Sequence, residues 1–308
     1  MNYDRRTAKI AMYHRRVANG DLGVPISLQV ALTDACFNRC PMCSHPQRKP
    51  MHELALEDWI SWLAHFKSKG VETICYSGGD PLAYHYINRV MDWHNSCWGI
   101  PFGMTIAGHV PAHIDLALLA TARWVRVSLD AVTPSVYEQC RGGTPVSKVL
   151  DGIKRMKAAG VNVCLGITTH SGNINDLPNV LAFAADNGIT DIDMRPVYPD
   201  SLPEAAQPRD IKPFNHCSVV FYQLYISANG DVHPCCITAG DTRCCPMTRQ
   251  LGNLYRDTWH HIWANAIKFS HLQLPALPEV CRTCCVQRLS EINHVCDIIS
   301  QFNNKNFF

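Results

Sequence analysis

The chain has 308 residues, of which 47% are hydrophobic and 18% charged, with a formal net charge of +2. That is the make-up of an ordinary globular protein with a sizeable core, arranged as one large domain or as one domain with a smaller companion. No block of like charge points to a nucleic-acid or membrane surface, and no apolar run reaches the length of a bilayer span.

The opening stretch, MNYDRRTAKIAMYHRRVANG, is basic and lacks an apolar segment, which argues against a secretory signal. Ile10, Met12 and Val17 among the arginines suit a short amphipathic helix packed on the main domain. Short β-branched runs then predict strands at residues 26–33, 71–77, 101–107, 124–130, 161–169 and 190–197. Longer periodic stretches between them predict helices at 54–70, 82–95, 112–122, 147–160 and 174–188, several stopping at a glycine (Gly70, Gly160, Gly188). Strands alternating with helices imply βαβ units around a parallel sheet. Six units fall short of the eight of a complete barrel, so the predicted fold is α/β, a partial (β/α)6 TIM-like barrel. Ligands of such folds bind at the C-terminal ends of the strands.

After residue 200 the character changes. A proline-rich linker, 201–216, leads to two short strands joined at Asn229-Gly230, a strong hairpin signal. The remainder is rich in Cys, Pro and His, with one helix at DTWHHIWANAIKF. The domain reading is therefore an N-terminal extension (1–25), the barrel (26–200), the linker (201–216), and a small Cys-rich domain with a tail (217–308). So little apolar periodicity suggests that metal coordination stabilises this last part.

The chain has 16 cysteines, and with no export signal they favour metal binding over disulfides. Directly after the first strand comes TDACFNRCPMCSHP, with the spacing Cys36-x3-Cys40-x2-Cys43. Three thiolates in one loop can hold three irons of a cubane and leave the fourth open to a ligand. A zinc knuckle with His45 as fourth ligand is the alternative the spacing leaves open.

Cys-x3-Cys-x2-Cys after the first strand of a (β/α) domain resembles the signature of the radical S-adenosylmethionine (SAM) superfamily, with Met42 where an aromatic residue is usual. The resemblance implies a [4Fe–4S] cluster on Cys36, Cys40 and Cys43 whose open iron binds SAM. Reductive cleavage of SAM then yields a 5′-deoxyadenosyl radical that abstracts hydrogen from substrate. Ser77-Gly78-Gly79-Asp80-Pro81 resembles the family's GGEP motif, which implies that Gly78, Gly79 and Asp80 contact the SAM amino group. Ser128-Leu129-Asp130-Ala131 with the following VTPSVYEQCRGG resembles its SLDG…YxxxRG segment. By that resemblance Ser128 contacts SAM, Arg141 partners its carboxylate, and Gly166 on the fifth strand lies where adenine and ribose contacts fall. Asp191, Asp193 and Arg195 alternate and so share a face; Arg195, Asp130 and Tyr198 are further active-site candidates.

Cys217, Gly230, Cys235 and the later Cys281-x2-Cys284 resemble the auxiliary-cluster domain called SPASM or its shorter twitch form, with LGNLYRDTWHHIW between the two halves. The resemblance implies one auxiliary [4Fe–4S] cluster on Cys217, Cys235, Cys281 and Cys284. Ser290 stands where the full pattern would continue with a cysteine. Cys236 and Cys285 adjoin proposed ligands and can replace them, and Cys296 with Cys244 or Cys245 is a candidate second site. A tetrathiolate zinc ribbon is the alternative here. Cys75, Cys97, Cys140 and Cys164 read as small buried hydrophobes.

The expected activity is oxidation or modification of a peptide side chain or of a small-molecule natural-product precursor. The triplet begins at residue 36 with no peptide-recognition domain ahead of it, which favours a small molecule. The expected electron donor is a flavodoxin or ferredoxin, and the expected compartment is the reducing cytoplasm. A non-catalytic iron–sulfur or zinc scaffold on a degenerate barrel is the rival reading, and it predicts no SAM binding.

Overall fold

The computed structural model describes residues 16, 23–43, 53–96, 99–197, 217, 219–240 and 250–272. The chain divides into two compact units, one comprising Val30–Lys67 and Thr73–Pro208, the other Met1–Gln29, Ser68–Glu72 and Arg209–Phe308.

The larger unit carries the alternating pattern. Its strands are the end of β1 (Ser27–Ala31), β2 (Thr73–Ser77), β3 (Phe102–Ile106), β4 (Val125–Ser128), β5 (Val163–Thr169) and β6 (Ile192–Pro196), and they lie in the order β6-β5-β4-β3-β2-β1. From β2 to β6 each strand pairs parallel with the next. Between them run α1 (Leu56–Ser68), α2 (Ile87–Ser96), α3 (Leu116–Leu119), α4 (Pro134–Cys140), α5 (Val146–Ala158) and α6 (Leu177–Asp186). All six predicted strands form, within two residues of the expected ends.

Two helices depart from expectation for local reasons. The stretch 82–95 splits, because the Asp80 side chain caps a single 3-10 turn at Pro81–Ala83 and α2 begins only at Ile87. The stretch 112–122 shortens to α3, because Asp115 accepts from the amides of Ala117 and Leu118 and starts the helix there. A further helix, α4, opens at Pro134 after Thr133, a normal helix start.

Register divides the parallel sheet into two unlike faces. One is apolar: Tyr76, Met104, Val125 and Val163 form a row across it, and Ile106, Val127, Leu165 and Ile192 form another. A Cβ on Gly108 would lie 2.7 Å from both Val127 and Val149, so α5 packs tightly on this face. The other face is polar or small: Thr105, Arg126 and Cys164 form one row, and Ser128, Gly166 and Asp193 the next. Period-two alternation puts every helix-covered side chain on the first face and leaves the second for function.

In the smaller unit β7 (Gln223–Ile226) follows the short helix α7 (Val219–Tyr222) and pairs antiparallel with β8 (Asp231–His233), which pairs in turn with β9 (Gly252–Asn253). The turn falls at Asn229-Gly230 as predicted, with Gly230 at φ 82°. Asn253 fastens it by donating to the Asn229 carbonyl and the Asp231 carboxylate. The helix α9 (Trp259–Ser270), capped by Thr258, buries Trp259, Ile262, Trp263, Ala266 and Phe269. Arg16, buried, donates to the carbonyls of Val24 and Pro25 and pairs with Glu72 at 3.0 Å. The rest of the expected N-terminal helix and the whole of the linker lie outside the described residues. Among the described residues no helix is long and apolar enough to cross a membrane.

His94 illustrates how tightly the core of the larger unit is specified. Its Nδ1–H donates to the Ile100 carbonyl at 2.6 Å, its Nε2 accepts from the Tyr76 hydroxyl at 2.7 Å, and its ring stacks on Phe102. Burial lowers its pKa from 6.5 to about 4, against the opposing pull of the Ile100 carbonyl. The unfolded chain therefore binds a proton that the folded one refuses, and stability falls as pH drops from about 6.5 towards 4. The expected loss across that window is about 3 kcal/mol in denaturant melts, and His94→Gln, although less stable at neutral pH, lacks this part of the slope.

Candidate active site

The chain leaves β1 through buried Leu32 and Thr33 and enters the cysteine loop. The Thr33 hydroxyl accepts from the Ala35 amide at 2.9 Å and turns the backbone. The loop is then seated on the end of β2. Gly79 donates to the Thr33 carbonyl at 3.0 Å, and Asp80 donates to the Ala35 carbonyl at 2.7 Å. Both glycines are obligatory for this approach: a Cβ on Gly79 would stand 2.0 Å from the Ala35 carbonyl oxygen, and one on Gly78 2.3 Å from Ala31 Cβ. Asp80, fully buried, accepts from the amides of Leu82 at 2.9 Å and Ala107 at 2.8 Å and so ties the loop to the end of β3. The Asp80 carboxylate and the amides of Gly79 and Asp80 thus hold protein partners.

The other flank of the loop rests on the segment after α4. Arg39 donates its amide to the Arg141 carbonyl at 3.0 Å, and the Thr144 hydroxyl donates to the Phe37 carbonyl at 3.3 Å. The buried Asn38 amide meets the Tyr137 hydroxyl at 3.1 Å. Burial pushes the Tyr137 hydroxyl up to about 12, so it stays protonated.

Cys36, Cys40 and Cys43 all have intermediate exposure in this clamped loop, and the Cys43 amide donates to the Cys40 carbonyl at 3.1 Å. Among the described residues no three His, Cys, Asp or Glu side chains converge as they would on a single metal ion. A cubane asks for something else, since each thiolate binds a different iron and the sulfurs stand apart. An all-thiol donor set on a glycine-cradled loop fits that group.

Arg141 lies against the triplet. Its Nε is 2.6 Å from Asp130 Oδ2, and its Nη1 donates to Cys40 Sγ at 3.7 Å. Burial opposes its charge, but Asp130 and Cys40 outweigh that and hold its pKa above the ordinary range. The sequence expectation made Arg141 a carboxylate partner; in the structure two of its nitrogens are already engaged. Asp130 is fully buried and also accepts from the Thr168 amide at 2.7 Å.

Ser128 and Gly166 are register partners on the polar face, as a shared ligand surface requires. The space beside Gly166 holds a side chain that sequence reasoning passed over. Arg126 crosses it, with Cδ 2.8 Å from where a Gly166 Cβ would stand. Its guanidinium lies 5.4 Å over Trp124 and 3.6 Å from Asp193, and its Nε is buried with no hydrogen-bond partner. A charged residue inside the apolar run WVRVSLD was the available signal. Asp193 thus reaches Arg126 on β4 and also pairs with Arg195, two residues along β6.

Beside the triplet opens a cleft of about 470 Å³, lined by Cys36, Phe37, Leu82, His85, His109 and His113 among others. His109 packs edge-on against Phe37 at 4.9 Å. Burial, then the charges of Lys148 and Arg155, lower its pKa. Of the scattered cysteines, Cys140 and Cys164 are buried as expected, and Cys140 lies 3.4 Å from His170 Nε2. Cys75 is only half-buried and lies opposite Gly103 on the polar face.

In the smaller unit Cys217 is buried and Cys235 half-buried. Burial first, then the nearby Cys235, push the Cys217 thiol up to about 12, so the hairpin has brought these two within electrostatic reach. Thr238 donates its hydroxyl to the Cys235 carbonyl and fixes that turn, and Cys236 opens the short helix α8 (Cys236–Gly240). Cys281 and Cys284 lie outside the described residues, as do His45, Cys97, Tyr198, Cys244, Cys245, Cys285 and Cys296.

Residues 30–184, which hold the triplet, Gly78-Gly79-Asp80, Ser128, Arg141 and Gly166, match the model of the radical SAM superfamily. The chain belongs to the radical SAM superfamily. Residues 217–285 match SPASM, an iron–sulfur cluster-binding domain. Iron–sulfur clusters and SAM are thus the cofactors of this radical SAM enzyme. It is 27% identical over 184 residues to a PqqA peptide cyclase from Streptomyces rochei, covering 58% of this chain and 50% of that protein. It is also 27% identical over 170 residues to a GTP 3′,8-cyclase from Peptoclostridium acidaminophilum, covering 53% and 52%. The chain spans about half the length of the curated relatives it matches. Among solved structures it resembles Streptococcus suis SuiB bound to its precursor peptide SuiA, with TM-score 0.68 and 14% identity over 91% of this chain and 74% of that one. It also resembles anSMEcpe with bound AdoMet and the Cp18Cys peptide, with TM-score 0.61 and 14% identity over 86% and 87%. These likenesses establish the partial-barrel fold.

The seating of the cysteine loop gives a direct test. Gly79→Ala forces a methyl into the Ala35 carbonyl, and the expected result is destabilisation of about 3 kcal/mol with loss of most bound iron after anaerobic reconstitution. Thermal melts and iron analysis measure the two effects.

Proposed function

We propose that this radical SAM enzyme abstracts hydrogen from a carbon of a peptide side chain, as an oxidoreductase or maturase. The observation that carries the reading is the cysteine loop clamped between Gly79-Asp80 and Arg141–Thr144 at the C-terminal ends of the strands. In this reading Cys36, Cys40 and Cys43 hold three irons of a [4Fe–4S] cluster, leaving the fourth for SAM. When bound, cluster and SAM together supply a 5′-deoxyadenosyl radical.

The chain's own residues then have defined tasks. Gly78 and Gly79 let the backbone come close enough to seat both loop and ligand. Ser128 and Gly166 present the polar face to SAM, with Arg126, Asp193 and Arg195 bordering the substrate. Cys217, Cys235, Cys281 and Cys284 hold one auxiliary [4Fe–4S] cluster; four thiolates close it, which suits electron transfer or structure. A flavodoxin or ferredoxin is the proposed electron donor, and a reducing cytoplasm the proposed compartment. The barrel is assigned to 26–200 and the auxiliary domain to 217–308.

The peptide substrate rests on the relatives. The solved structures matched over most of the chain include SuiB with a precursor peptide and anSMEcpe with a peptide, at 91% and 86% of this chain. The PqqA peptide cyclase is named for a peptide as well. The GTP 3′,8-cyclases, named for a nucleotide, match 53% of the chain in the case above. These matches outweigh the small-molecule preference drawn from the position of the triplet.

The test is isotope transfer. Reconstituted enzyme, SAM and a reductant are incubated with the peptide fraction, or separately with the small-molecule fraction, of a fully deuterated cell extract. The expected result is deuterium in 5′-deoxyadenosine from the peptide fraction, read by mass spectrometry. Transfer from the small-molecule fraction alone contradicts the peptide assignment.

A further inference from the structure

Asp130 and Arg141 form an ion pair beside the cysteine loop, the first side chain fully buried and the second 13% exposed. Asp130 has no freedom to move: it is fully buried, and one of its carboxylate oxygens accepts from the Thr168 amide on β5 at 2.7 Å. The other lies 2.6 Å from Arg141 Nε. The backbone of Arg141 is equally fixed, donating to the Tyr137 carbonyl at 2.8 Å and accepting from the Arg39 amide at 3.0 Å. With its backbone held and its guanidinium paired with Asp130, Arg141 places Nη1 3.7 Å from Cys40 Sγ.

We propose that Arg141, aimed by Asp130, is a positioning residue that donates an N–H···S hydrogen bond to Cys40 and thereby raises the reduction potential of the cluster the triplet holds. This rests on the reading of Cys40 as a cluster ligand. Reduction adds one electron, whose charge spreads over the irons and onto the ligand sulfurs. A cationic donor fixed against one of those sulfurs stabilises the reduced form more than the oxidised form. Asp130 offsets part of the cation's field, but the guanidinium stands between the carboxylate and the sulfur, so its contribution at the sulfur is the larger. Asp130 is fully buried and the Arg141 side chain only 13% exposed, so water screens the interaction less than it would at the surface. A cluster that must deliver an electron to SAM needs first to receive one from a protein donor, and a raised potential eases that loading step.

The experiment is an EPR-monitored redox titration of anaerobically reconstituted full-length protein without SAM, following the cluster signal that changes when SAM is later added. In Arg141→Met the reduced-to-oxidised ratio at a fixed poise is expected to fall about tenfold, equivalent to about 59 mV for one electron. Arg141→Lys keeps the charge but cannot span Asp130 and Cys40 together, and is expected to fall between Met and wild type. If Arg141→Met fails to take up iron, the Lys variant decides by itself. Wild-type midpoints in iron-replete variants overturn the proposal, even where SAM binding is weakened, because that is what a carboxylate-binding role alone would give. A wild-type protein that holds no cluster, or a Cys40→Ala variant that keeps this EPR signal, overturns the ligand reading instead and takes the proposal with it.

Discussion

The site depends on one close approach of two backbones. The carbonyl of Ala35 occupies the space where residue 79 would carry a Cβ, 2.0 Å from it, and the amides of Gly79 and Asp80 close on the carbonyls of Thr33 and Ala35. Remove that contact and the loop bearing Cys36, Cys40 and Cys43 loses its floor. Beyond Phe37 packing on His109, the thiol-rich loop takes its shape from hydrogen bonds to elements that are themselves rigid. Asp80 supplies the rigidity on one side by capping the turn after β2 and reaching the Ala107 amide. Arg141 through Thr144 supply it on the other.

The sheet makes those anchors reliable. Its apolar face carries the stability, through rows such as Tyr76–Met104–Val125–Val163 beneath the helices. Its polar face is thereby free to carry Arg126, Ser128, Gly166 and Asp193, residues that an ordinary core would not tolerate. Asp130 and Thr168 join the ends of β4 and β5, where the polar face meets the cysteine loop. Stability and chemistry are thus assigned to opposite sides of the same strands.

Much of this was legible in the sequence. Short β-branched runs located the six strands of the parallel sheet, because strands buried between helices concentrate such residues. The cysteine spacing and Gly78-Gly79 marked the site, because few other residues can make so close a turn. What stayed hidden depends on long-range placement. Arg126 sits in a run read as plain strand, and its meaning comes from Gly166, 40 positions later, lacking a Cβ. The link from Arg141 to Cys40 spans 101 positions, and no local pattern announces it. Thr133-Pro134 is a helix start, but the seven residues of α4 are too few to show a periodic pattern. His85, His109 and His113 become neighbours of Cys36 only when the loops after β2 and β3 converge on one cleft.

The central claim is that the triplet holds a cluster that cleaves SAM. Its most direct test is formation of 5′-deoxyadenosine by anaerobically reconstituted protein with SAM and a strong reductant, compared with Cys40→Ala prepared in the same way. Steady product is expected from the wild type and none above background from the variant, with SPASM-domain iron retained. Equal product from both, or none from an iron-replete wild type, would contradict it.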